Sequence, residues 1–162
     1  MTAHGFNWRL AGILAIVIVG LDQWSKQAVS AALRYGEAVA VTSFFNLVLV
    51  YNKGAAFSFL SGASGWQREF FIGITALALT MIVWMIRRHR HEIIFCWGLA
   101  LIAAGAVGNL IDRVAHGHVI DFLDFHALGW HFWAFNLADS AITLGAGLLI
   151  VDSFRPRPAS GA

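Results

Sequence analysis

Four apolar runs, each about the length a helix needs to cross a hydrocarbon core of roughly 30 Å, lie near residues 9–28, 69–87, 93–114 and 135–153. This pattern predicts an all-α membrane protein with four transmembrane helices and a small β element. Only a few residues around "RRHRHE" separate the second run from the third, which predicts a tight antiparallel hairpin of helices. The segment 29–68 is long enough for structure of its own. Within it "FFNLVLVY" is aromatic and β-branched, "NKG" is a turn signal and "AAFSFL" resumes the run, so a β-hairpin is expected. "AVAVT" would extend it to three strands, giving an outer β-region over about 38–60. Being apolar on more than one face, such a sheet should lie on the membrane surface or against the helices. The second outer loop, about 115–134, carries "WHFWAF", whose Trp130 and Trp133 suit the headgroup level.

Composition agrees: the chain is 59% apolar and 12% charged, against about 45–50% and about 25% in soluble domains. A single integral-membrane domain over 1–162 follows. The first run, "LAGILAIVIVG", with "VSAA" after it, has the look of a secretory signal, but it continues into "LDQWSK", whose charges do not suit a spacer before a cleavage site. Four spans leave both termini on one side. Arg9, Arg87, Arg88, Arg90, Arg155 and Arg157 all fall there, so both termini are expected to be cytoplasmic. Lys26, Arg34, Lys53, Arg68 and Arg113 remain on the outer side, and Lys26, Lys53 and Arg113 sit in polar motifs where a specific partner can hold them. The net charge of +2 therefore reads as topology, and no nucleic-acid partner is expected. The single Cys96 cannot form an intramolecular disulfide and reads as a buried structural thiol.

Charged groups at membrane depth cost a few kcal/mol on insertion scales, so each marks a candidate site. Asp22 and Lys26 share a helix face four residues apart, acid first. The third run ends "GAVGNLIDR": Asn109 and Asp112 share a face, and Arg113 follows at the interface, where its guanidinium can fork onto a carboxylate. Gly105 and Gly108 would let another helix approach closely. In the fourth run Asn136, Asp139 and Thr143 form one stripe, with Asp139 about one turn inside the helix. A polar knot that only holds helices together explains many of these residues equally well.

Asp121 follows the third run on the same outer side, with 17 residues between it and Asp139, short enough for the two carboxylates to converge. Two carboxylates held close in low dielectric tend to share a proton. One can then activate water while the other, protonated, polarises a carbonyl, an aspartic-peptidase arrangement that requires no metal and no cofactor. A small transporter or proton relay could use the same acids, although no internal repeat or discontinuous helix pair is visible. A metal site is the other rival, since His116, His118, His126 and His131 crowd one loop. Their spacing lacks the i, i+4 pair of "HExxH" sites, and no metal ligand is assigned.

"DQWSK" (22–26), "NKGAAFS" (52–58), "GNLIDR" (108–113), "VIDFLDF" (119–125) and "FNLADSAIT" (135–143) resemble, in order and across nearly the whole chain, the motifs of the lipoprotein signal peptidases, or signal peptidase II. The resemblance implies a bacterial inner-membrane aspartic endopeptidase with a periplasmic-side β-cradle. Its activity would be removal of signal peptides from prolipoproteins, cut before a diacylglyceryl-modified cysteine. By matching motifs Asp121 and Asp139 would be the catalytic dyad, while Asp22, Lys26, Asn52, Gly54, Asn109, Asp112, Arg113 and Asn136 would bind substrate or support the site. Asp124 matches a less demanding position and receives no catalytic role. The implied partners are lipid-modified precursors and membrane lipids, and a catalytic site assembled from one chain's helices suggests a functional monomer.

Overall fold

A computed structural model of the chain describes residues 5–54 and 66–155. Four helices carry most of it: α1 (Trp8–Ala32), α2 (Gln67–Arg88), α3 (Ile93–His116) and α4 (Leu137–Ser153). The helix boundaries follow local chemistry. Asn7 caps α1 by accepting from the Leu10 N–H, and Gly117, in the left-handed region at φ 75°, ends α3. The α2–α3 connection is a short turn in which His89 Nδ1 meets Glu92 at 2.8 Å.

α1, α2 and α3 are long and apolar enough to cross a membrane. α4 has 17 residues, about 26 Å at 1.5 Å per residue, slightly short of the roughly 20 residues of a straight span. The polarity of the bundle is inverted relative to a water-soluble protein. Ile13, Ile16, Trp24, Leu77, Met81 and Trp84 are exposed, whereas Asp22, Lys26, Asn109, Asp112 and Asn136 are buried. Apolar residues outside and a satisfied polar cluster inside is what a lipid solvent selects.

α3 packs against each of the other three helices. Against α4 the contact is backbone to backbone: a Cβ on Gly98 would meet the Gly145 carbonyl oxygen at 2.9 Å, and one on Gly105 would collide with that of Ala138. A Cβ on Gly108 would lie 2.7 Å from Asp22 Oδ2. The Gly105 and Gly108 spacing thus serves the close approach expected of it. Toward the other end, Phe6, Ala11, Ile82, Ile86, Cys96 and Leu99 form the apolar core, where the Cys96 thiol donates to the His89 carbonyl at 3.2 Å.

A four-stranded antiparallel sheet, β1 (Ala38–Thr42), β2 (Phe45–Asn52), β3 (Val119–Ala127) and β4 (Trp130–His131), lies in sequence order. "AVAVT" pairs with β2 as β1. The hairpin expected between β2 and "AAFSFL" concerns residues 55–60, which lie outside the described residues. Within them β2 pairs along its length with β3, from the second outer loop, with Val50 opposite Asp121 and Asn52 opposite Val119. This pairing fixes the site, because it sets an acid of the second loop beside the "NKG" corner of the first.

Candidate active site

Two structural elements, β3 and α4, deliver the two acids. Asp121 is buried on β3, and Asn136 caps α4 by accepting the Asp139 N–H at 2.9 Å, which holds the first turn and the Asp139 side chain in place. Two asparagines bridge the carboxylates. Asn136 Nδ2 donates to Asp121 Oδ1 at 2.7 Å, and Asn109 Nδ2 donates to Asp139 Oδ1 at 2.8 Å. They also bond each other, Asn136 Nδ2 to Asn109 Oδ1 at 3.2 Å. The chain Asp121–Asn136–Asn109–Asp139 is continuous, so the two acids share one polar patch rather than two separate sites. Asn52 Nδ2 reaches the second Asp121 oxygen at 3.1 Å, and its own Oδ1 accepts the Gly54 N–H at 3.0 Å.

Burial pushes Asp121 up from the ordinary carboxylate range to about 7, and the neighbouring Asp139 charge pushes the same way. The hydrogen bonds from Asn52 and Asn136 and the Lys26 charge oppose the rise. Protonation of this carboxyl is thereby brought within reach near neutrality, the state a shared proton requires.

A second cluster sits directly behind. Lys26 Nζ meets Asp22 Oδ2 and Asp112 Oδ2, each at 2.8 Å, and donates to Asn109 Oδ1 at 3.1 Å. All three ammonium protons have partners. The acids are equally occupied: Asp22 Oδ1 accepts the Ala138 N–H at 2.9 Å, and Asp112 Oδ2 accepts that of Ile120 at 3.2 Å. One buried triad therefore ties α1 to α3, to the start of α4 and to β3, and its Asn109 contact fixes the amide that serves Asp139. Gln23, which no spacing in the sequence marks, donates to Asp112 Oδ1 at 2.8 Å and to the Gly108 carbonyl at 3.2 Å.

One of the two expected cation partners holds and the other does not. Asp22 and Lys26 do pair, but the lysine is shared with Asp112 from across the bundle. Arg113 forks onto no carboxylate among the described residues. Its guanidinium donates to the Gly54 carbonyl at 3.0 Å and the Asn109 carbonyl at 3.4 Å, and lies 5.0 Å from the Phe71 ring centroid. Arg113 thereby links the "NKG" corner to α3. Arg68 covers the open end of α3, donating to the Arg113 and Val114 carbonyls at 3.0 and 2.6 Å.

The four histidines fall into two pairs. His116 lies beside His118 with the rings tilted, and His126 stacks on His131, which holds Asp124 at 2.9 Å; Asn46 also donates to Asp124 at 2.9 Å. Among the described residues no three His, Cys, Asp or Glu side chains are grouped to hold a metal ion.

A cavity of about 710 Å³ opens in front of Asp139, Asn109 and Arg113, and its remaining wall is largely apolar, with Ala106, Phe135 and Leu144. The site thus offers two carboxylates, amides that orient them, and an apolar cleft beside them.

Residues 14–155 match the family model described as signal peptidase (SPase) II. The chain is 57% identical to the lipoprotein signal peptidase of Janthinobacterium sp. (strain Marseille) over 88% of its length and 86% of the relative's. It is 54% identical to that of Ralstonia nicotianae over 94% and 87%. A bacterial membrane enzyme solved by the in meso method at 1.9 Å superposes with a TM-score of 0.84 at 31% identity, covering 97% of this chain and 100% of that one.

Proposed function

This chain belongs to the signal peptidase II family, a family of aspartic peptidases, and from that premise we propose how it works. It is a protease that removes signal peptides from prolipoproteins, as its relatives' name states. The cut falls before a cysteine carrying a diacylglyceryl group, at the outer face of the bacterial inner membrane. α4 serves as the fourth span, both termini are cytoplasmic, and the sheet and site face the periplasm. The chain acts as one domain over 1–162 and as a monomer among membrane lipids, since one chain supplies every residue of the site.

Asp121 and Asp139 form the catalytic dyad, holding one proton between them. The ionised carboxylate takes a proton from water as its oxygen attacks the scissile carbonyl, and the protonated one donates to the carbonyl oxygen. Collapse of the tetrahedral adduct breaks the C–N bond. The leaving nitrogen takes a proton from the dyad, so the products are the signal peptide's carboxyl terminus and the free amine of the lipidated cysteine. Asn136, Asn109 and Asn52 orient the carboxylates, Asp22, Lys26 and Asp112 hold the helices that carry them, and Arg113 fixes Gly54 beside the cleft. The observation that carries this reading is the unbroken bridge of two asparagine amides between the two acids at the mouth of an apolar cavity.

Lipid on the substrate is expected to matter because acyl chains hold the scissile bond at the depth of Asp139. Purified protein in a bilayer should cleave a diacylglyceryl-modified precursor at least about 100-fold faster than its unlipidated twin, remote binding being spent on reaching the transition state. Mass spectrometry of the products should place the cut immediately before the modified cysteine. Equal rates for the twins, or a cut elsewhere, would remove the lipoprotein assignment.

A further inference from the structure

Two cavities meet at the carboxylate pair. Asp139 lies in the wall of the 710 Å³ cavity and Asp121 in that of a second, of about 480 Å³; Asn52, Phe132 and Trp133 belong to both. A peptide whose reacting bond lies between the carboxylates must put one arm in each. The larger cavity follows α4 from Asp139 to Leu144 and has Thr75 and Ala106 in its wall, which suits an apolar signal segment and acyl chains. The smaller lies against β2 and β3, with Lys53, Asp124 and His131 in its wall. Val48, Val50 and Ala134 make the rest of that wall partly apolar, and it is the charged and titratable groups beside them that suit a chain leaving for water.

Resting on the peptidase reading above, we propose that the smaller cavity is the subsite for the mature side of the precursor, and that Lys53 makes it favour acidic residues there. The charge balance supports this. Asp124 is 6% exposed and already matched by His131 and Asn46. Asp121 accepts amide hydrogens from Asn52 and Asn136 and carries only part of its charge near neutrality. Lys53 is exposed and forms no ion pair among the described residues. Its position is not left to chance, because the Asn52 side chain holds the Gly54 N–H and Arg113 holds the Gly54 carbonyl on its other side. Lys53 is therefore a cation of this wall that is not in an ion pair among the described residues, and it can meet the few residues that follow the cleaved bond.

The test uses three lipidated precursors that differ only in the two residues after the modified cysteine: Asp-Asp, Ser-Ser and Lys-Lys. In direct competition the wild-type protein should prefer Asp-Asp over Lys-Lys by about fivefold in kcat/KM, the scale of a partly exposed charge contact. Lys53→Glu should reverse the order, and about 0.5 M salt should flatten both preferences. An order that Lys53→Glu leaves unchanged overturns the proposal. A photo-cross-linker supplies a readout independent of turnover. On the inactive Asp139→Asn protein, a cross-linker just after the cysteine should label the β2–β3 wall, and one in the signal segment should label α2 or α4. The opposite pattern overturns the assignment of the two arms. Wild-type protein that cuts none of the three precursors defeats the peptidase reading itself, a result distinct from either of these.

Discussion

Asp121→Asn and Asp139→Asn are each expected to cut lipidated precursor at least about 1,000-fold more slowly than wild type, the scale of a lost general acid or base in a concerted pair. Asparagine keeps the shape and one acceptor oxygen, at 121 giving up one of the two amide donors that hold the acid, but it can neither take a proton from water nor give one to the leaving amine. The two losses should not add. The pair works as one unit, so the double variant should be about as slow as either single one. Folding is not the cause, because each asparagine can rotate to accept from Asn136 or Asn109 through its carbonyl oxygen. Thermal unfolding of both variants within a few degrees of wild type, together with the lost rate, is the expected combination. Normal cleavage by either variant would remove that acid from the chemistry.

The second large effect is on stability. Lys26→Met should destabilise the fold by about 3–5 kcal/mol, because it leaves two buried carboxylates facing each other without their cation. Asp22 is 0% and Asp112 1% exposed, so neither can be relieved by water. Each also holds a backbone N–H, of Ala138 and of Ile120, so strain here reaches the start of α4 and β3 together. Thermal unfolding in lipid measures the loss. Replacing both acids by asparagine in the Lys26→Met background should recover part of it, since the buried charge is then gone while the two N–H groups keep an acceptor. An unfolding temperature unchanged by Lys26→Met would mean the triad bears little of the fold.

Much of this was legible in the chain because a membrane writes its demands in long words. Apolar runs of helical length and acids within or beside them stand out without any knowledge of contacts. The short stretch from Asp121 to Asp139 already implied that the two acids could meet. What the sequence hid was pairing at a distance. Spacing pairs Lys26 with Asp22 and residue type pairs Arg113 with a carboxylate, yet the lysine also serves Asp112 across the bundle and the arginine serves carbonyls. Helical spacing reports only neighbours on one helix.

The strands of the second outer loop were hidden for a different reason. Val119 to Phe122 are buried without alternation, so the polar–apolar alternation that betrays a half-buried strand is absent. The β-branched and aromatic run "VIDFLDF" was the signal available. Gln23 gave none beyond its place beside Asp22.

The proposed chemistry depends on a proton shared by two acids at the pH where the protein works. Infrared titration of protein carrying isotope-labelled aspartate, in lipid between pH 5 and 9, reads it directly from the carbonyl stretch of a protonated carboxyl. The direction follows from Asp121, whose burial raises it to about 7: the proton is held below that pH and lost above it, and cleavage should fall on the same alkaline limb. The expected result is a protonated-carboxyl band that titrates near pH 7, as a property of the pair, and is missing from Asp121→Asn. A spectrum with every aspartate ionised throughout the range, or a band that Asp121→Asn leaves untouched, would contradict it.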